Sequence, residues 1–216
     1  MTARKALIAA FLVTVALGGC RKSGDIVVEE GIGVTALRSV CPAVGVPEFL
    51  GDMTLFKSPT DRTQEALDVT ATITNVRSQC TDTGDPVQAN ASFDVLAQRR
   101  DTRGARTVQL PFFSTVVRGG STVVAKRLGT VALTFADGEA RTVGHGTAQA
   151  FVSRAAATLP EDVRQRIVLR RRPGDEGAAI DPLSQPEIRA AIARATFELL
   201  IGFQLTDDQL AYNATR

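Results

Sequence analysis

From Leu67 to Val152 the chain alternates apolar and polar residues at a period of two, broken at intervals by turn residues. No other feature narrows the fold as far. Successive strand side chains point to opposite faces, so this alternation marks half-buried strands and not amphipathic helices. Leu67, Val69, Ala71 and Ile73 alternate with Asp68, Thr70, Thr72 and Thr74. Ala91, Phe93, Val95 and Ala97 form the apolar face of a second strand near 89–98. A third runs near 107–117, and Pro111, which has no amide hydrogen, predicts an edge position or a bulge. Further strands are expected near 53–56, 122–127, 130–135 and 140–152, the last weakened by Gly144 and Gly146. Turns are predicted at 81–86, at Gly119-Gly120 and at Asp137-Gly138, the last a hairpin signal. The pattern predicts a mainly β fold with C-terminal helices. The first choice is an antiparallel immunoglobulin- or fibronectin-like β-sandwich, and a small barrel is the alternative.

After Val152 the period lengthens. Thr158, Pro160 and Glu161 have capping-box spacing and predict a helix to about Ile167. Residues 168–172 read equally as helix or strand, and Pro173-Gly174-Asp175 ends them. Ser184 and Glu187 give a second cap. Behind it Ile188, Ile192, Ala195, Leu199 and Phe203 recur at helical spacing, which predicts an amphipathic helix packed on the sandwich. Thr206 and Gln209 cap a short terminal helix holding Leu210 and Tyr212. The stripe is read as cover for an open sheet face. Its second reading is a partner-binding surface through Ile192, Leu199 and Phe203.

The chain starts with Arg4 and Lys5, then an apolar run from Ala6 to Ala16, then Leu17-Gly18-Gly19-Cys20. This has the layout of an export signal, and the run is too short to span a bilayer, which takes about 20 apolar residues. Leu17-Gly18-Gly19-Cys20 resembles the lipobox of bacterial lipoproteins, with Gly18 where that class more often has a larger small residue. The resemblance covers the leader only. It implies cleavage before Cys20, acylation of that cysteine (palmitate among the chains), and anchoring to a membrane with no spanning helix. Each buried methylene adds about 0.8 kcal/mol, and two or more chains make the anchor stable. In that class an Asp after the cysteine retains the protein at the inner membrane, so Arg21 implies the periplasmic face of the outer membrane.

With the cysteine at 20 acylated, Cys41 and Cys80 remain, and an oxidising compartment predicts a disulfide between them. Two free buried thiols are the alternative. The formal charge of +2 belongs to the whole chain. Removing Arg4 and Lys5 leaves 23 basic and 23 acidic residues, so charge gives no argument for nucleic acid. There is no Trp and only one Tyr, which counts against base-stacking or sugar-stacking platforms.

No nucleophile elbow, P-loop or zinc-protease motif occurs, and no catalytic residue, metal site or cofactor is expected. His145, the single histidine, stands between two glycines and reads as a strand or bulge position before it reads as a general base. Asp82 and Asp85 lie in a turn without the spacing of a calcium loop. Arg99, Arg100, Arg103 and Arg106 cluster between two strands against Asp101 alone. They are the candidate ligand-binding residues for an anionic envelope component such as lipid A phosphate or peptidoglycan carboxylate, and a solvated loop is the plainer reading. The expected organisation is a signal peptide (1–19), lipid anchor and tether (20–35), a β-sandwich (36–155) and a C-terminal helical segment packed on it (156–216). The functional expectation is a membrane-anchored periplasmic lipoprotein acting as a non-catalytic adaptor or scaffold for an envelope protein partner. The alternative is the anionic-ligand module.

Overall fold

The alternating segments pair into two four-stranded sheets. The computed structural model describes residues 39–58, 60–169, 174 and 180–215. Its strands are β1 (Ala43–Gly45), β2 (Asp52–Phe56), β3 (Leu67–Thr81), β4 (Val87–Arg99), β5 (Arg106–Arg118), β6 (Thr122–Phe135), β7 (Arg141–Val152) and β8 (Phe197–Phe203). One sheet has the order β2-β3-β4-β7 and the other β1-β8-β5-β6. Every pairing is antiparallel except that of β1 with β8. The helices are α1 (Arg154–Ala157), α2 (Glu161–Val168), α3 (Pro186–Ala195) and α4 (Asp207–Thr215). The strands and helices fall within one compact unit, Val34–Leu169 with Ala179–Arg216.

The inward faces share one core, as the β-sandwich-like arrangement requires. Val69, Ala71, Phe93 and Val95 of the first sheet pack with Leu110, Leu133, Phe135 and Leu199 of the second. Phe93 and Phe112 meet edge-to-face at 5.2 Å between centroids and join the two layers. Cys41 and Cys80 form a disulfide, with sulfurs 2.10 Å apart. It ties the segment entering β1 to the end of β3, and so one sheet to the other.

Several expectations change. The amphipathic helix predicted through Phe203 stops at Ala195, and Phe197–Phe203 is strand β8. Phe197, Leu199, Ile201 and Phe203 are also spaced by two, so the same apolar residues fit either period. The opening between β1 and β5 supplies backbone partners on both sides of the segment and decides for strand. The segment 156–216 is therefore not simply a helical layer, because it completes a sheet. Nor does α3 lie on that sheet by its whole stripe. Ile188 and Ala191 pack with Val163 and Ile167 of α2 in a second, smaller cluster, and Ile192 adjoins it.

The two strands expected at 122–127 and 130–135 are one, β6, continuous through Gly129. The ring of Phe112 lies where a Cβ on Gly129 would be, 2.5 Å away, so glycine there admits a core aromatic and does not break the strand. Asp137-Gly138 does form a turn, with Gly138 at φ +81°. The strands it joins belong to different sheets, so the turn is a corner and not a hairpin. Pro111 sits in a strand that is both edge and interior. Its carbonyl accepts from Gln204 N–H at 2.9 Å, and the β8 ladder begins one residue later at Phe112. The missing donor thus faces the side where pairing ends.

α4 begins with the reciprocal pair that its sequence predicts. Thr206 N–H donates to Gln209 Oε1 at 2.9 Å, and Gln209 N–H donates to Thr206 Oγ1 at 3.3 Å. Buried Asn213 then donates to the carbonyls of Phe49 and Asp52, both at 2.8 Å, and docks the helix beside β2. By contrast, α2 is capped at Pro160, and Thr158 Oγ1 donates back to Arg154 O.

Candidate functional site

The arginine cluster closes β4 and opens β5, and it is not a cationic platform. Arg99 is 2% exposed. Its Nε donates to Glu139 O at 2.8 Å and its Nη1 to Gly104 O at 2.8 Å. Its Nη2 donates to the carbonyls of Thr102 and Ala136, both at 2.7 Å. The guanidinium also lies over the Phe135 ring at 5.2 Å. All its donating nitrogens are used inside the fold, which corrects the expectation that Arg99 binds a ligand. Arg103 forms a two-point pair with Asp101 at 2.9 and 2.7 Å. That hydrogen bonding holds the Asp101 carboxyl far below the usual carboxylate range. Arg106 Nη2 reaches both oxygens of Asp68 at 3.0 Å. Arg100 is exposed, and among the described residues no carboxylate pairs with it. One free guanidinium out of four does not make the expected anion site.

Leu199 and Phe203 are fully buried in β8, and Ile192 is part-buried beside the α2–α3 cluster. The three do not share a surface, which corrects the partner-binding stripe drawn through them. Cys20 lies outside the described residues, as do Arg170, Arg171 and Arg172. Among those described, no helix is long and apolar enough to cross a membrane, and no cluster of three His, Cys, Asp or Glu could hold a metal.

His145 stands on the outer face of the β2-β3-β4-β7 sheet, directly across from Asp94. Its Nδ1 lies 2.7 Å from Asp94 Oδ1, and Asn75 Nδ2 donates to Asp94 Oδ2 at 2.8 Å. Asn75 reaches there from a bulge in β3, with φ at +51°. The Asn75 amide, and after it His145, hold the Asp94 carboxyl below its ordinary range. Such a pair activates a nucleophile when a hydroxyl or thiol stands within reach of the other imidazole nitrogen. Among the described residues no side chain hydrogen-bonds to that nitrogen, and the ring is 76% exposed. The glycines around it serve the core, since a Cβ on Gly146 would fall 2.1 Å from Phe93 Cζ.

The surface that is built and unfilled is the first half of β6. It pairs with β5 on one side, with a bulge at Val124, which has no partner between the pairs Val116–Ala125 and Val117–Val123. At its second half β7 closes in, with Thr142 Oγ1 donating to Thr134 O at 2.8 Å and Gly144 set against Val131 and Leu133. At Thr122–Leu128 the strand is an exposed edge, and among the described residues no strand pairs with its free side. Val123, Val124 and Leu128 are 62, 56 and 71% exposed there. Beside them a shallow cleft between β6 and β7 is lined by Ser114, Val116, Ala125 and Gln149. Lys126 sits over the Phe113 ring at 5.1 Å and Arg127 over the Phe151 ring at 5.9 Å. The sequence carried a signal for this, the β-branched run Thr122–Val124 followed after Ala125 by two cations on one strand, which is how exposed edges are guarded.

No protein-family model, no curated protein and no solved structure matches this chain.

Proposed function

We propose that this chain is a lipid-anchored protein of the bacterial envelope that works as a non-catalytic adaptor. The observation that carries the reading is the open edge of β6, where backbone donors and acceptors stand beside exposed Val123, Val124 and Leu128. Edges of this kind are used for strand addition by partner proteins. Export is supported by Leu17-Gly18-Gly19-Cys20 and by the Cys41–Cys80 disulfide, which suits an oxidising compartment. We place the protein on the periplasmic face of the outer membrane because Arg21, not an acid, follows the cysteine. In finer detail we read the two facing sheets as an immunoglobulin- or fibronectin-like sandwich, on the ground of their common core.

The test is made in the native host. The full chain should take up labelled palmitate and fractionate with the outer membrane, and Cys20→Ser should do neither. A photo-crosslinker at position 124 should trap one discrete protein, while the same group at position 72, on the opposite sheet face, should not. Loss of label with unchanged localisation would remove the anchor from the reading. Identical crosslinking from positions 124 and 72 would remove the adaptor.

A further inference from the structure

We infer that the free half of β6 accepts an extended segment of a partner protein in which two consecutive carboxylates adjoin β-branched residues. The inference rests on the adaptor reading and states the chemistry of its partner. The segment would add to the β1-β8-β5-β6 sheet as a fifth strand.

Three observations converge on that chemistry. The open stretch Thr122–Leu128 extends for about 23 Å at strand rise, and past the bulge at Val124 it runs in regular register from Ala125, which leaves room for a few ladder hydrogen bonds. Its exposed apolar residues, Val123, Val124 and Leu128, favour β-branched neighbours across the new pairing. The third observation is charge. β5, β6 and β7 contain Arg106, Arg118, Lys126, Arg127 and Arg141 and not one Asp or Glu. Arg106 is paired with Asp68, but among the described residues no carboxylate pairs with Lys126 or Arg127.

Lys126 and Arg127 are adjacent, so they project from opposite faces of the sheet. Lys126 lies over Phe113, the register partner of Leu128, whereas Arg127 is opposite Ser114 and leans on Phe151 of β7. One acid on the incoming strand reaches one face only. Two in succession answer both cations. Ring contacts hold each cation in place beforehand, which lowers the ordering cost of pairing. The same two cations oppose a second copy of this chain, since edge-to-edge pairing about a two-fold axis would bring like charges together.

The experiment uses the full lipidated chain in mild detergent, with fluorescein-labelled Thr-Val-Val-Glu-Glu-Val-Thr as probe and the Lys-Lys version as control. Anisotropy should show the acidic peptide binding about tenfold tighter or more, with the preference shrinking as salt is raised. Lys126→Glu/Arg127→Glu should reverse the preference, which distinguishes lost recognition from lost folding. Hydrogen exchange should slow at 122–128 in the complex and not at 67–81. Equal binding of the two peptides, no binding up to about millimolar, or an unreversed preference overturns the inference. So does sedimentation showing the edge occupied by a second copy. A discrete protein trapped at position 124 that lacks an acidic extended segment overturns this inference and leaves the adaptor standing, whereas failure of palmitate labelling or trapping removes the adaptor itself.

Discussion

Arg99 Nη2 donates to the carbonyl of Ala136 at 2.7 Å, across 37 residues of chain. The same guanidinium holds Thr102, Gly104 and Glu139, so one side chain fastens the turn after β4 to the corner between β6 and β7. Replacing it strands four carbonyls and removes the cation from the Phe135 face. Arg99→Met should cost about 3 kcal/mol, since hydrogen bonds to charged groups contribute about 1.5–3 kcal/mol each but water can take over part of them at carbonyls that belong to exposed turn residues such as Gly104, Ala136 and Glu139. Urea denaturation with an unchanged slope would read it directly. A loss comparable to that of the exposed Arg100→Met would show that the network contributes nothing.

Gly146 and Phe93 make a second close relation. A methyl at 146 would meet the ring at 2.1 Å and must displace a residue that is 1% exposed. Gly146→Ala should therefore destabilise by about 1–3 kcal/mol through overpacking. Gly84→Ala, where nothing lies within 4 Å, should be near neutral. Phe93→Leu should recover part of the Gly146→Ala loss in a double-mutant cycle. Strictly additive losses would mean that the ring does not set the size limit at 146.

The disulfide closes a loop of 39 residues. In the chain-entropy account that constraint contributes about 4 kcal/mol by restricting the unfolded chain. Cys41→Ser/Cys80→Ser should lower the urea midpoint to that of the reduced wild type, and added reductant should leave the variant unmoved. A reductant-sensitive variant would contradict the pairing.

Asp94 supplies a pH prediction. Its folded-state pKa is lowered from 3.8, first by the Asn75 amide and then by His145. The stabilisation from a depressed carboxylate is present above the unfolded value and is lost as pH falls through the lower folded value. Asn75→Ala should move the Asp94 titration midpoint, followed by carboxyl carbon NMR, upward towards 3.8, and by more than His145→Ala does. Equal midpoints in wild type and Asn75→Ala would dismiss the amide as the cause.

Much of this architecture was readable from local pattern. The alternation of Leu67–Ile73 and of Ala91–Ala97 prescribed which side chains face the core, and those faces are buried apart from half-buried Leu67 at the strand end. The Thr206–Gln209 cap was equally legible, because both partners lie within one helical turn. Reading failed where residues far apart in the chain choose between locally equal options. Leu199 and Phe203 satisfy a helical stripe as well as a strand, and the open backbone edges of β1 and β5 tip the balance. Arg99 looked like its exposed neighbours, yet carbonyls from two separate turns draw it inward. The open edge at Lys126 and Arg127 likewise depends on where β7 departs from β6. Periodicity and caps are set by neighbours within a few residues. Burial, strand partnership and the pairing of a charge depend on which distant segment fills the remaining space, and that emerges only when the whole chain packs.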